Sequence, residues 1–169
     1  DRTNSGYSSA ISTAASSCKW VPWASLFIAA LPPSNSLGTN GGNQLLTSPD
    51  GITWTHVDLP NFNDGGEDLN KGQYVISFND DIIVTGANVG NTPFWSTDGV
   101  SWTSGTVDAA PVGPVLDIVY SSGAQVFVGA TSDTSTEYLQ SSDGKVWTLK
   151  SDMPSGLVER QMAYSNTLG

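Results

Sequence analysis

Few residues in this chain could do chemistry, and those few bound what it does. His56 is the only histidine and Cys18 the only cysteine. A histidine-based zinc cluster is therefore out of reach, and a Ser-His-Asp site would have to use a residue that falls in an expected strand. His56 reads as structural or exposed. Cys18 reads as a small buried hydrophobe with no disulfide partner in the chain. Carboxylates are the abundant group, 16 Asp and Glu against 6 Lys and Arg, for a formal charge of −10. Hydrolysis of a glycosidic bond needs two carboxyl groups held across a cleft, and Asp64, Glu67, Asp68, Asp117 and Glu137 are the acids available for it. Linear spacing pairs none of them.

The segment from Asn61 to Asn70 gathers oxygen ligands around Gly65-Gly66, with Asp64, Glu67 and Asp68 as candidate calcium ligands. Its spacing fits no EF-hand loop, and an ordinary acidic turn uses the same residue types. Calcium is the only cofactor with any candidate ligands. Gly41-Gly42 and Gly65-Gly66 lack the lysine or helix that a phosphate-cradling loop requires, so nucleotide chemistry is not expected. The acids are spread along the chain, giving a surface that should repel nucleic acid and anionic membranes. The longest apolar stretch, Trp20 to Leu31, is interrupted by Pro22 and Ser25 and is too short to cross a bilayer. Neither nucleic acid nor membrane insertion is expected.

Polar side chains for recognition are more plentiful. Asn40, Asn43, Asn91 and Thr92 fall in expected loops where they could hydrogen-bond sugars or protein backbone, or simply be solvated. Together with Asp64, Glu67 and Asp68 they form the candidate ligand-facing set. The insertion from Pro32 to Asn43 lengthens one of these loops by about eight residues over its counterpart, comparing 28 to 48 with 84 to 96.

The elements that must position these residues come from a repeat. Ser48-Pro-Asp50-Gly51-Ile-Thr-Trp54, Ser96-Thr-Asp98-Gly99-Val-Ser-Trp102 and Ser141-Ser-Asp143-Gly144-Lys-Val-Trp147 all read S-x-D-G-x-x-W. The tryptophans lie 48 and then 45 residues apart (54 to 102 to 147), a period that suits one four-stranded propeller blade. Asp-Gly between apolar alternating segments predicts a hairpin with a two-residue type I′ turn. Leu46, Phe94 and Leu139 precede the three turns at equivalent places, and the tryptophans that follow read as packing. Upstream, the segments 20–28, 76–84 and 120–128 align as strand, turn and strand. Each leads into small residues (Ala29-Ala30, Thr85-Gly86, Gly129-Ala130), as expected where inner strands crowd a propeller axis.

The expected fold is all-β: four-stranded antiparallel propeller blades over about 17–60, 72–108 and 115–152, with the start of another at 158–169, where Tyr164-Ser165-Asn166 matches Tyr120-Ser121-Ser122. No amphipathic helix of useful length appears. Propellers close with four to eight blades, so three blades leave two unpaired edges, to be covered by further blades of the same polypeptide or by another protein chain. The start at Asp1, without Met, reads as a processed protein or part of a longer polypeptide.

The S-x-D-G-x-x-W repeats resemble the Asp-box (BNR, sialidase-like) family of β-propellers, which includes sialidases, sortilin-like receptors, some glycoside hydrolases and repeat domains of virion proteins. The resemblance spans nearly the whole chain. It implies that Asp50, Asp98 and Asp143 are the turn aspartates of a folding device on the outer hairpin, and that ligand sites lie on the opposite face. The chain departs from the family in lacking the extra residue often found between Asp and Gly, which implies a tighter turn. Sialidase chemistry clamps a carboxylate with three arginines, and this chain has only Arg2 and Arg160.

With no catalytic set, the expected function is a non-enzymatic structural or adhesive module of an extracellular or virion surface assembly (a fibre, spike or decoration protein), making protein or glycan contacts. The alternative is a fragment of a secreted carbohydrate-active enzyme whose catalytic acids lie partly in other blades. The virion reading is one of texture and repeat style, since propellers host many unrelated functions.

Overall fold

The computed structural model describes residues 17–30, 45–57, 59–60, 75–86, 92–109, 113, 115–131 and 136–152. Within them the chain is all-β, with thirteen strands and no helix. The first blade is β1 (Ser17–Val21), β2 (Leu26–Ala30), β3 (Leu45–Ser48) and β4 (Thr55–Val57), and the second is β5 (Ile76–Phe78), β6 (Ile83–Thr85), β7 (Phe94–Ser96) and β8 (Thr103–Ser104). After the short β9 (Thr106–Val107), the third blade is β10 (Asp117–Ser121), β11 (Val126–Ala130), β12 (Tyr138–Ser141) and β13 (Val146–Lys150). Each blade is an antiparallel meander in chain order. The expected start of another blade at 158–169 lies outside the described residues.

The register repeats as faithfully as the sequence does. Phe27 pairs with Ser48, Ile83 with Ser96 and Phe127 with Ser141, so the same β-ladder position leads into each S-x-D-G loop. Strand alternation then sorts side chains onto two faces. One face of each blade, its front, carries the partner of the register serine, the residue two places before that serine and the motif tryptophan: Ile83, Phe94 and Trp102 in the second blade, Phe127, Leu139 and Trp147 in the third. The other face, the back, carries Ile28 and Leu45 in the first blade and Ile82 and Val84 in the second.

The core lies between blades. The front of the second blade packs on the back of the first, where Val21, Ile28, Leu45 and Val57 meet Ile76, Ile83, Phe94 and Trp102. The front of the third packs on the back of the second, where Ile82 and Val84 meet Ile118, Phe127, Leu139 and Trp147. A single sheet cannot bury both faces, so each blade is stabilised by its neighbours. First strands gather on one side, with β5 beside both β1 and β10. There the small residues are required: a Cβ on Gly86 would come within 2.9 Å of the Val115 carbonyl oxygen, and one on Gly129 within 3.3 Å of Val115 Cγ1.

One connection departs from a simple strand-strand-hairpin-strand blade. The fourth strand of the second blade stops after Ser104, and the chain passes Gly105, where a Cβ would sit 2.9 Å from two carbonyl oxygens. It continues as β9, which pairs in parallel with β13, Val146 opposite Thr106 and Trp147 opposite Val107. The third sheet thus gains a fifth strand from the blade before it. Asp108 extends the joint by accepting from the Leu149 N–H at 2.8 Å through Oδ1.

Cys18, expected to be buried, is exposed. It occupies the place of Ile76 and Ile118, both buried, but sits on the front of the first blade, which has no blade before it among the described residues.

Candidate functional site

Among the described residues the three S-x-D-G loops are the best-defined polar constellations. They are not two-residue type I′ turns. The last ladder pairs before them are Thr47 with Thr55, Trp95 with Thr103 and Gln140 with Thr148, so seven residues bridge each hairpin. Only the glycines have positive φ, +71° at Gly51, +77° at Gly99 and +70° at Gly144. The aspartates before them do not enter the left-handed region. Their role is hydrogen bonding, and that is why the turn is wider than Asp-Gly alone predicts.

In the first loop, Ser48 Oγ donates to Asp50 Oδ1 at 3.0 Å and accepts from the Gly51 N–H at 2.8 Å. The same Oδ1 accepts from the Ile52 and Thr53 N–H groups, each at 2.8 Å. The second loop repeats this: Ser96 Oγ to Asp98 Oδ1 at 2.9 Å, Gly99 N–H to Ser96 Oγ at 2.8 Å, and Val100 and Ser101 N–H to Oδ1 at 2.8 and 2.7 Å. In the third, Ser141, Asp143, Gly144, Lys145 and Val146 make the same bonds at 2.8 to 3.0 Å. The ring nitrogens of Trp102 and Trp147 donate to the Gly99 and Gly144 carbonyls at 3.1 Å and close the loops.

Electrostatics follow from these donors. The Thr53 and Ile52 N–H groups, with the Ser48 hydroxyl, hold the Asp50 carboxyl below its ordinary value. At Asp98 and Asp143 partial burial pushes the other way and is the largest single influence, yet the backbone N–H groups and the serine hydroxyl together outweigh it, and both carboxyls are lowered. All three are carboxylates at neutral pH, with Oδ1 committed to the loop's own backbone. This is a poor starting point for a proton donor.

The glycines meet the preceding blade. A Cβ on Gly99 would lie 2.8 Å from Leu26 Cδ2 and 3.1 Å from Ile28 Cδ1, and one on Gly144 would lie 2.8 Å from Val84 Cγ2 and 3.3 Å from Ile82 Cγ2. Lys145, next in the third loop, places its Nζ 4.6 Å from the centroid of the Trp95 ring on the second blade. Gly51 meets only Phe27 of its own blade, at 3.6 Å.

The other candidate residues are less informative. Asn40, Asn43, Asp64, Glu67, Asp68 and Asn91 lie outside the described residues. Thr92 is half-buried two residues before β7, and His56 is half-buried in β4 opposite Leu46. Asp117 is buried and its Oδ1 accepts from the Ile118 N–H at 2.8 Å, while the Glu137 carbonyl accepts from the Thr131 hydroxyl at 2.7 Å. Among the described residues no three His, Cys, Asp or Glu side chains converge as a metal site.

Trp23 belongs to no sequence motif, yet the fold gives it a distinct place. It sits in the β1–β2 turn, 37% exposed, with its ring nitrogen donating across to the Asn79 carbonyl of the second blade at 2.7 Å. The signal for it was the Pro-Trp pair inside a turn flanked by strands.

No family model matches the chain, and no curated protein matches it. Nine chains among solved structures do. One is the crystal structure of a GH74 enzyme from Niastella koreensis, at 23% sequence identity and a TM-score of 0.47, covering 78% of this chain and 17% of that one. The chain therefore spans about a sixth of the length of the enzyme it matches.

Proposed function

We propose that this chain is a non-catalytic scaffold segment of an Asp-box propeller in an extracellular assembly, completed by further blades and presenting its loops to protein or glycan partners. The observation that carries this reading is the fate of the three loop carboxylates. Each spends Oδ1 on one hydroxyl and two backbone N–H groups of its own loop, so the repeated acids build hairpins. Asp117 Oδ1 accepts from the Ile118 N–H of its own strand. Incubating the full chain with a panel of soluble polysaccharides at pH 4 to 8 and assaying reducing ends tests it. Release no greater than the blank is expected; release that disappears on substituting Asp117 or Glu137 with Ala would overturn the reading.

Trp23 favours the second reading, a portion of a carbohydrate-active enzyme. An exposed indole fixed by a hydrogen bond across two blades offers a rigid apolar surface to the C–H face of a sugar ring. Titration with oligosaccharides, followed by tryptophan fluorescence, would give a saturable change in the parent that is lost in Trp23→Ala. A change that persists in the variant argues against Trp23 as the platform.

A further inference from the structure

Glycine is required at positions 99 and 144. Each has a positive φ, and a Cβ on either would meet the preceding blade at 2.8 Å. Each also follows an aspartate on which the loop depends, because Oδ1 of that aspartate accepts from the two N–H groups beyond the glycine. These loops are therefore committed to an Asp-Gly peptide, and Asp50-Gly51 has the same arrangement. Asp-Gly is a chemically weak link. With no side chain on the second residue, its amide nitrogen can approach the aspartyl Cγ with little hindrance.

The reaction that follows such an approach is cyclisation. The glycine nitrogen bonds to Cγ, the Cγ–OH bond breaks, and the amide proton and that hydroxyl leave together as water. A second water then opens the cyclic imide at either carbonyl. Attack at Cγ restores aspartate, whereas attack at the main-chain carbonyl carbon gives isoaspartate, whose main chain runs through Cγ and is longer by a carbon. Nothing is oxidised or reduced.

In all three loops a single hydroxyl holds both reacting groups. Ser48 Oγ accepts from the Gly51 N–H at 2.8 Å and donates to Asp50 Oδ1 at 3.0 Å. Ser96 Oγ does the same for Gly99 and Asp98 at 2.8 and 2.9 Å, and Ser141 Oγ for Gly144 and Asp143 at 2.8 and 3.0 Å. The bond from the glycine N–H opposes loss of the amide proton. The bond to Oδ1, with those from the next two N–H groups, keeps the carboxylate on the loop's donors and stops Cγ from turning onto the nitrogen. All three carboxyls are also held below their ordinary value, and an ionised carboxyl would have to expel oxide in place of water.

We infer that the motif serine guards its Asp-Gly peptide against cyclic-imide formation, and that Asp50, Asp98 and Asp143 are latent isomerisation sites that open when the serine's two bonds are lost. The longer main chain of isoaspartate would displace Gly99 from Leu26 and Ile28, and Gly144 from Val84 and Ile82, so an unguarded loop also loses its seat on the preceding blade.

Peptide mapping of the full chain after prolonged incubation in mildly acidic buffer, below its melting temperature, tests this, because an isoaspartyl peptide keeps its mass and changes its retention. The parent should isomerise at the three pairs far more slowly in buffer than in urea. In urea they should match Asp64-Gly65, a fourth Asp-Gly pair that has Phe62 in the place of the serine. In Ser48→Ala the rate at Asp50 should rise roughly tenfold, the scale set by losing the serine's two hydrogen bonds, while Asp98 and Asp143 keep the parental rate. Ser96→Ala and Ser141→Ala should act likewise, each on its own loop. Ser48→Thr retains the hydroxyl and should restore the parental rate. Equal rates in buffer and urea overturn the inference. So do alanine variants that isomerise no faster than the parent, or that speed all three pairs together while their β-sheet circular dichroism is intact. If the alanine variants lose that circular dichroism, amide hydrogen exchange of the parent decides: protected Gly51, Gly99 and Gly144 N–H groups support the guard, and exchange as fast as in the unfolded chain overturns it.

Discussion

The first and third loops carry the same motif, share the serine–aspartate and aspartate–backbone hydrogen bonds and have almost the same glycine φ, yet they end in different surroundings. Trp147 is fully buried against the second blade, while Trp54 is half-buried on a face that no other blade covers among the described residues. The loop is therefore built by short-range bonds between residues three or fewer apart, which form with or without a neighbour. Burial of the tryptophan is a separate, longer-range event that needs the preceding blade. In a repeat protein these correspond to the intrinsic and the interfacial parts of stability. The two loops separate them within one molecule.

The largest effect should come from the tryptophans. Trp147→Ala empties a fully buried site, and large aromatic truncations of that kind cost about 3–5 kcal/mol. Trp54→Ala removes a ring that water already reaches, and should cost roughly 1–2 kcal/mol by the area it buries. Urea unfolding of both variants measures the gap. Equal losses would mean that the third blade gains nothing from its neighbour, and the distinction drawn above would collapse.

This contrast marks where the sequence stops being readable. The 48- and 45-residue spacing of Trp54, Trp102 and Trp147 fixes four strands per blade, and the Asp-Gly pairs locate the hairpins, because both are local or periodic properties. The shape of those hairpins was less legible. Asp-Gly read alone predicts a two-residue turn, whereas the serine two places before each aspartate recruits it into a seven-residue loop held by side-chain bonds. Cys18 was misplaced for a different reason: its ladder position is buried in the other two blades, and only the identity of the neighbour decides whether it is covered. The parallel pairing of β9 with β13 had no local signature at all, since Thr106 and Val107 follow Gly105 in what reads as an ordinary exit loop. The chain's candidate site was legible to the same extent, as a motif whose bonding geometry could not be read from its spelling.

The glycines sharpen the comparison at intermediate cost. A non-glycine residue in the left-handed region is strained by about 1–2 kcal/mol, and Gly51→Ala and Gly144→Ala share that penalty. Gly144→Ala adds a Cβ 2.8 Å from Val84 Cγ2 across the blade interface, an overpacking that costs roughly 1–3 kcal/mol more. Gly51→Ala meets only the Phe27 ring at an ordinary contact distance. Thermal melts should therefore place Gly144→Ala well below Gly51→Ala. If the two coincide, the third loop does not seat on the second blade as closely as the geometry requires.

Acid titration gives the smallest effect and the one that should not distinguish the two loops. Asp50, Asp98 and Asp143 all have carboxyls lowered from the ordinary 3.8, so the folded state binds these protons less readily than the unfolded chain does. Their contribution is complete above that ordinary value and is lost as pH falls through the lower folded values. The melting temperature should accordingly be flat with respect to these groups from neutrality to about pH 5 and fall below pH 4. Asp143→Asn keeps an acceptor for the Lys145 and Val146 N–H groups but removes the titrating charge, so its melting temperature should fall less steeply with acid than the parent's, and Asp50→Asn should behave alike. Because the bonds to Oδ1 are the same in both loops, a steeper acid limb rescued by only one substitution would show that the neighbouring blade, and not the loop, sets the affinity of these carboxyls for protons.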